Sequence, residues 1–327
     1  VRASVLPGKL LLKAVLFFLL LYTGCCEAVI DSPWMTGPLL SPSGHTVPPG
    51  YINLEPYLFY TDNFGVYNNR FGKSTSTPMQ TIWNPLLVAY YGLTNHLDIE
   101  TAIPYQFNRK NSQSDNGFGD LSLTLGIQAV SDIPHTLTPD IKFLVQELFP
   151  TGKYEELDPT LNGADAIGSG SYQTTLGVVF QKLWFLPKGR FLRSRLGFTY
   201  TIPSNVHLHG LSSFGGSVNT NGTLAPGNEF TAILGLEYTL TQHWVPALDI
   251  LFEDSAANGF RGFAGTDGLM PAVISLEGGD RLSIAPAIEY NFNAEMGLIA
   301  GVWFSVAGRN EKDFISGVVA FDYTVAT

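Results

Sequence analysis

Leu282-Ser283-Ile284-Ala285-Pro286-Ala287-Ile288-Glu289-Tyr290-Asn291-Phe292 alternates apolar residues with small or polar ones without a break. A β-strand turns successive side chains to opposite faces, so this stretch describes a wall with one greasy and one wet side. Segments of the same kind recur along almost the whole chain, at 51–61, 78–91, 97–107, 118–130, 139–149, 171–184, 190–202, 227–241, 243–253, 281–292, 296–307 and 313–324. Strands of about ten residues joined by alternating short and long connections are the pattern of an all-β, closed antiparallel transmembrane barrel.

The two faces separate residue by residue. One carries Leu97, Ile99, Ile103, Tyr105 and Phe107, then Leu121, Leu123, Leu125 and Ile127, then Phe230, Leu234, Leu236, Tyr238 and Leu240, then Ile315, Val319, Phe321 and Tyr323. The other carries Asp98, Glu100, Gln106, Asp120, Ser122, Thr124, Gln128, Thr231, Gly235, Glu237 and Thr239. A soluble barrel would pack the first set inside, but twelve strands enclose more volume than apolar side chains readily fill. Tyr90, Tyr91, Trp244, Phe292 and Tyr323 stand near strand ends, where membrane barrels keep their aromatic girdles. Pro85 in the second strand, Pro246 in the ninth and Glu147 on an otherwise apolar face fit less well and point to bulges or strand ends above the membrane.

Connections are short at 92–96, 131–138, 185–189, around Gln242 and at 293–295, and long at 62–77, 108–117, 150–170, 203–226 and 254–280. Bacterial barrels keep short turns in the periplasm and long loops outside, and an even strand count then puts both termini in the periplasm. The last hairpin, 308–312, must cross outside with a short loop.

The first residues read as a cleaved signal peptide, 1–28: Arg2, Lys9 and Lys13, a short apolar core from Ala14 to Tyr22, and a small-x-small end at Cys26-Glu27-Ala28. The run Tyr22-Thr23-Gly24-Cys25 also resembles a lipobox in which Cys25 would be lipidated, although Tyr22 stands where Leu is expected. Removing these residues moves the net charge from −10 to −12, a balance that argues against nucleic acid as a partner. Cys25 and Cys26 are the only cysteines, so no disulfide framework holds the mature chain. Residues 29–50 hold Pro33, Pro38, Pro42, Pro48 and Pro49 and cannot sustain a ladder or a helix of their own. They are expected to form a periplasmic tether in preference to a partial plug of the lumen, with the barrel occupying 51–327.

Three stretches carry a family resemblance: Gly117-Phe118-Gly119-Asp120-Leu121, Phe149-Pro150-Thr151-Gly152-Lys153-Tyr154, and Gly168-Ser169-Gly170-Ser171-Tyr172. In order and spacing, over residues of about 78 to 200, the chain resembles the MetA-pathway phenol-degradation family of outer-membrane proteins. The resemblance implies a transporter or channel and supports fold and location more than substrate. At the C-terminus the chain departs from the usual terminal aromatic, because Thr324-Val325-Ala326-Thr327 follow Tyr323. Read without the family, the glycines of these stretches serve tight turns among external loops rather than ligand contact.

Chemistry is sparse. None of His45, His96, His135, His207, His209 and His243 has Ser two positions away on a confident strand, so no catalytic residues are assigned and an enzyme is not expected. His207-Leu208-His209 would place two imidazoles on one side, but no third metal ligand stands at usual spacing. Asn221-Gly222-Thr223 matches a glycosylation sequon, a chance match in a bacterial envelope protein. No cofactor or metal is implied.

The informative set is the inward ionisable one: Glu55, Asp98, Glu100, Asp120, Lys142, Arg193, Arg195, Glu237, Asp249 and Glu289. Such charges either line an aqueous path or pair across a narrow lumen, and the reading favours a largely salt-bridged lumen gated by loops. The expectation is an outer-membrane channel for passive passage of small compounds, hydrophobic or aromatic ones among them, with Phe214, Phe260 and Phe263 lining a vestibule in the loops. Its partners would be outer-membrane lipid, the barrel-assembly machinery and a small-molecule solute. The alternative is a closed structural or loop-display barrel mediating surface interaction.

Overall fold

The computed structural model describes residues 32–327 apart from Lys73, so the signal-peptide and Cys25 readings lie outside the described residues. Twelve antiparallel strands close into one barrel. They are β1 (Tyr51–Tyr67), β2 (Ser74–Thr94), β3 (Leu97–Lys110), β4 (Leu121–Val130), β5 (Asp140–Phe149), β6 (Gln173–Leu186), β7 (Arg190–Pro203), β8 (Glu229–Tyr238), β9 (Trp244–Ser255), β10 (Gly279–Asn291), β11 (Met296–Arg309) and β12 (Lys312–Ala326). Each pairs with its sequence neighbours, and β1 closes on β12 with Tyr51 opposite Ala326 and Tyr57 opposite Ala320. Lipid offers no partner for an open edge, so closure is obligatory for a sheet of this composition.

Side chains follow the expected parity. Along β4, Ser122, Thr124 and Gln128 are buried inside, whereas Leu123 and Leu125 are exposed outside. Aromatic side chains ring the outer surface at two heights, with Tyr51, Tyr91, Trp184, Trp244, Phe292 and Tyr323 near the short turns and Tyr60, Trp83, Phe107, Phe149 and Tyr200 toward the long loops. Tyr91 and Trp83 stand eight residues apart on β2, which at ~3.3 Å per residue and a tilt of about 40° gives roughly 20 Å, close to the apolar band of such barrels.

Two connections expected to be long are mostly ladder. β1 and β2 continue past a bulge at Asn63/Gly65 to Tyr67 and Ser74, and β3 turns tightly through Asn111 and Ser112, both at positive φ, into Gln113–Phe118. That short strand pairs with the outer half of β3, and β4 takes over the inner half. Above the membrane a ladder needs no apolar face, so polar Ser and Thr pair there without announcing a strand. The misfit residues are accommodated. Pro85 stays in β2, where the pairing with β3 lapses between Trp83 and Leu86. Pro246 stays in β9 opposite Ile288, and Glu147, near the outer end of β5, accepts the Thr174 hydroxyl at 2.7 Å.

At the long-loop end, Val206–His209, Asn221–Ala225 and Gly259–Phe263 form a small separate sheet. Val206, Leu208, Leu224 and Ile274 make its core, with Tyr154, Phe214 and Phe260 packed against them. Phe214 and Phe260, both half-buried, pack into this canopy because the loops fold on one another, and Phe263 remains exposed. Below it, Asp120 accepts hydrogen bonds from the Gly152 N–H (2.8 Å), the Ser169 N–H (2.7 Å) and the Ser169 hydroxyl (2.7 Å). The Thr151 hydroxyl donates to the Gly119 carbonyl at 2.8 Å. A Cβ on Gly168 would lie 2.3 Å from the Gly152 carbonyl oxygen, so both strands of this clasp need glycine.

Replacing Asp120 by Ala leaves three donors without their acceptor, a local loss of about 2–4 kcal/mol. The expected result is faster clipping within 150–172 by an added protease, while the barrel keeps its heat-modifiable migration; equal clipping rates would show that the clasp does not hold the loop.

Candidate functional site

Residues 32–50 do not hang from the barrel as a tether; they run inside it, at the short-turn end. The prolines deny this segment a ladder of its own, so its backbone groups need partners, and the wall supplies them. Asp249 accepts from the Leu40 and Ser41 N–H groups at 3.0 and 3.2 Å. Glu289 accepts from the Thr36 N–H and hydroxyl at 3.0 and 3.1 Å. The side-chain oxygens of Gln181, Gln128 and Asp98 take the N–H groups of Gly44, Thr46 and Val47. In the other direction, Asn291, Arg193, Arg195 and Lys142 donate to the carbonyls of Trp34, Met35, Ser41 and His45 at 3.1 to 3.3 Å. Leu39 is buried among Ala247, Ala285, Ile299, Val318 and Ala320. The wall is thinned where the segment passes: a Cβ on Gly235 would stand 2.1 Å from the Ser41 hydroxyl oxygen, and one on Gly92 2.0 Å from the Pro48 carbonyl oxygen.

The expected inward charges gather here with one exception. Arg193 makes a two-pronged pair with Glu237, which Arg195 approaches at 3.8 Å, and Lys142 reaches Asp98 at 2.8 Å. Glu55 and Glu100 face the same space. Asp120 is the exception, because the break between Phe118 and Leu121 turns its carboxylate to the loop clasp. Gln181, Asn291 and Asp322 were not singled out, although their strand parity placed them inside. A second lattice near the long loops was also missed: Arg281 grips Glu253 at 2.8 and 2.9 Å, meets Glu311 at 3.3 Å and lies 5.2 Å over the Phe314 ring.

From Thr36 to Val47 the segment's hydrogen bonds to wall side chains run from β3 to β10, and beyond the contact of Leu39 with Val318 and Ala320 it leaves a gap against β1, β2 and β12. A cavity of about 420 Å³ occupies that gap, with Glu55, Tyr57 and Phe59 of β1, Leu86, Val88 and Tyr90 of β2, Glu100 of β3 and Asp322 of β12 on its far side. His45 stands on the near side, with its Nδ1 2.8 Å from the Gln181 amide nitrogen. His207 and His209 lie exposed in the canopy beside Thr223 and Glu155, and among the described residues no His, Cys, Asp or Glu group converges as a metal cage.

A family model described as "Putative MetA-pathway of phenol degradation" matches residues 46–311. The chain belongs to this family. Its three resembling stretches are the parts of the clasp: Asp120 from the first, Thr151 and Gly152 from the second, Gly168 and Ser169 from the third. Among solved structures, the COG4313 outer membrane channel from Pseudomonas putida F1 superposes with a TM-score of 0.65 at 16% identity, covering 88% of this chain and all of that one. The NanC porin (TM-score 0.42, 8% identity, 83% and 98% coverage) and the translocator domain of the autotransporter NalP from Neisseria meningitidis (0.42, 13%, 83% and 88%) also match. A search of curated proteins found no significant match. The family member described here thus has the fold of an outer-membrane channel.

Changing Asp249 to Ala removes the acceptor of two segment N–H groups, at about 1–3 kcal/mol for each bond left unmade. Amide exchange at Leu40 and Ser41 should accelerate by about one to two orders of magnitude, and Glu147→Ala, on the outer face, should leave it unchanged. Equal exchange in all three proteins would mean that the carboxylate does not seat the segment.

Proposed function

We propose that the protein is an outer-membrane channel through which small organic compounds pass passively. The observation that carries this reading is the cavity beside the lumenal segment: the segment narrows the barrel without filling it, and the remaining gap is about 420 Å³, within the ~300–1,000 Å³ typical of small-molecule sites. By the usual asymmetry of bacterial barrels, the short turns, both termini and the segment face the periplasm, and the canopy faces outward. Phe59, Leu86, Val88 and Ile299 give the passage an apolar side suited to an aromatic or aliphatic body. Family membership and the likeness to a solved outer-membrane channel support the same reading.

A second reading, a barrel that displays its loops to another surface, is favoured by one feature. Val218, Phe263, Leu269, Met270 and Val273 stand exposed at the canopy, an apolar group that water alone does not explain. Solute flux separates the two.

The refolded protein in a planar bilayer should show small, discrete conductance steps. Deleting residues 34–47 should enlarge them severalfold, because the segment occupies most of the lumen's width at the short-turn end. A silent bilayer with both proteins would remove the channel reading and leave the display scaffold.

A further inference from the structure

The outer wall carries a hollow of its own, away from the segment. It measures about 370 Å³ and lies where β1, β2, β3 and the short strand Gln113–Phe118 stand side by side. Tyr60 pairs across the ladder with Trp83, and Trp83 with Phe107, so three exposed rings form a lateral row. The Tyr60 and Trp83 rings meet edge to face at 4.7 Å. On the short-turn side of this row the same strands present Leu58, Leu87 and Ile103, part of the exposed apolar belt that faces acyl chains. On the long-loop side, Thr81, Arg109 and Ser114 stand opposite one another in the next outward row. Arg109 is two residues past Phe107, which at ~3.3 Å per residue and a tilt of about 40° carries it roughly 5 Å beyond the rings, from the acyl layer to the headgroups. Its side chain is exposed, and no carboxylate among the described residues stands at salt-bridge distance from it; Arg309, exposed at the same end, is held by Asp280 at 2.6 Å. Asp62, next in the row on β1, already accepts the Thr81 hydroxyl at 2.7 Å. Ser114 and Asn116 add polar groups at the rim.

We propose that this hollow seats one molecule of the phosphorylated glycolipid of the outer leaflet, with an acyl chain lying on the rings and a glucosamine phosphate on Arg109. The proposal rests on the orientation given above, which puts the long-loop girdle in the outer leaflet. A guanidinium without a counter-ion, at headgroup depth, offers a phosphate two parallel N–H donors. The hydroxyl and amide groups beside it suit the sugar, and the ring row is continuous with the surface that lipid already covers. A lipid without an anionic headgroup would leave Arg109 unpaired, and a free phosphate would leave the rings bare.

The test titrates the full mature protein, refolded in a mild detergent, with bisphosphorylated lipid A and counts bound lipid by native mass spectrometry. One lipid A should stay bound. Arg109→Ala should weaken it by about tenfold or more, as the loss of a charge-assisted hydrogen-bonded contact does, and Arg109→Lys should recover part of the loss. Trp83→Ala should weaken it as well, with all three variants keeping their heat-modifiable migration. Lipid A binding that Arg109→Ala leaves unchanged overturns the proposal. So does phosphatidylglycerol bound as tightly as lipid A, or displacement of lipid A by inorganic phosphate. Orientation is read separately, with an impermeant thiol reagent on whole cells bearing Val218→Cys at the exposed canopy. Labelling supports the outer leaflet, and its absence overturns the orientation and the choice of lipid together, whereas the channel reading stands or falls by conductance alone.

Discussion

Everything in this molecule follows from the cost of an unpaired backbone N–H or C=O away from water. In the lipid that cost forbids a free edge, and the sheet answers by closing β1 on β12. The same cost then operates inside the barrel on residues 32–50, whose prolines prevent them from pairing with themselves. Their backbone groups are satisfied by the lumenal side chains, so Asp249, Glu289, Gln128 and Gln181 act as a discontinuous strand partner written in carboxylates and amides. The segment is consequently part of the wall rather than a loose stopper.

That arrangement also explains how so many charges tolerate the interior. Burying Arg193 against Glu237 recovers the desolvation of both ions only if their remaining hydrogen-bonding capacity is met. The Met35 carbonyl meets it for Arg193, the Ser41 carbonyl takes one Arg195 N–H while the Arg195 Nε stays without a partner, and Lys142 is shared between Asp98 and the His45 carbonyl. The lattice and the segment support each other, so removing one leaves the other with buried, unpaired groups. Against β1, β2 and β12 the segment makes no side-chain hydrogen bond between Thr36 and Val47, and the cavity lies there.

The barrel was legible because strand parity in lipid is enforced at every position: a slip of one residue at Leu123 or Leu125 would put Thr124 against acyl chains. All twelve spanning strands, the closure and the inward set could be read from alternation, apart from Asp120, where the strand breaks. Strand ends above the membrane were not legible, since Ser74 to Thr77 pair in water-facing ladder that demands no periodicity. The path of residues 32–50 was hidden for a related reason. Proline content says what a segment cannot do for itself but not who will satisfy it, and the answer depended on acceptors as distant in sequence as Glu289. Phe214 and Phe260 looked available because loops were pictured as separate, whereas they fold into one canopy with its own core.

The two ends of the barrel are thus specified by different parts of the chain. The stretches through which it resembles its family meet at Asp120 and hold the long-loop end, where Gly152 and Gly168 approach too closely for any side chain. None of them reaches the cavity at the short-turn end, which is shaped by the lumenal segment and by residues of β1, β2, β3 and β12. These stretches account for how the long-loop end is closed and braced. On the channel reading proposed above, the side chains that a solute would meet are those lining the cavity opposite the segment, which the clasp does not touch.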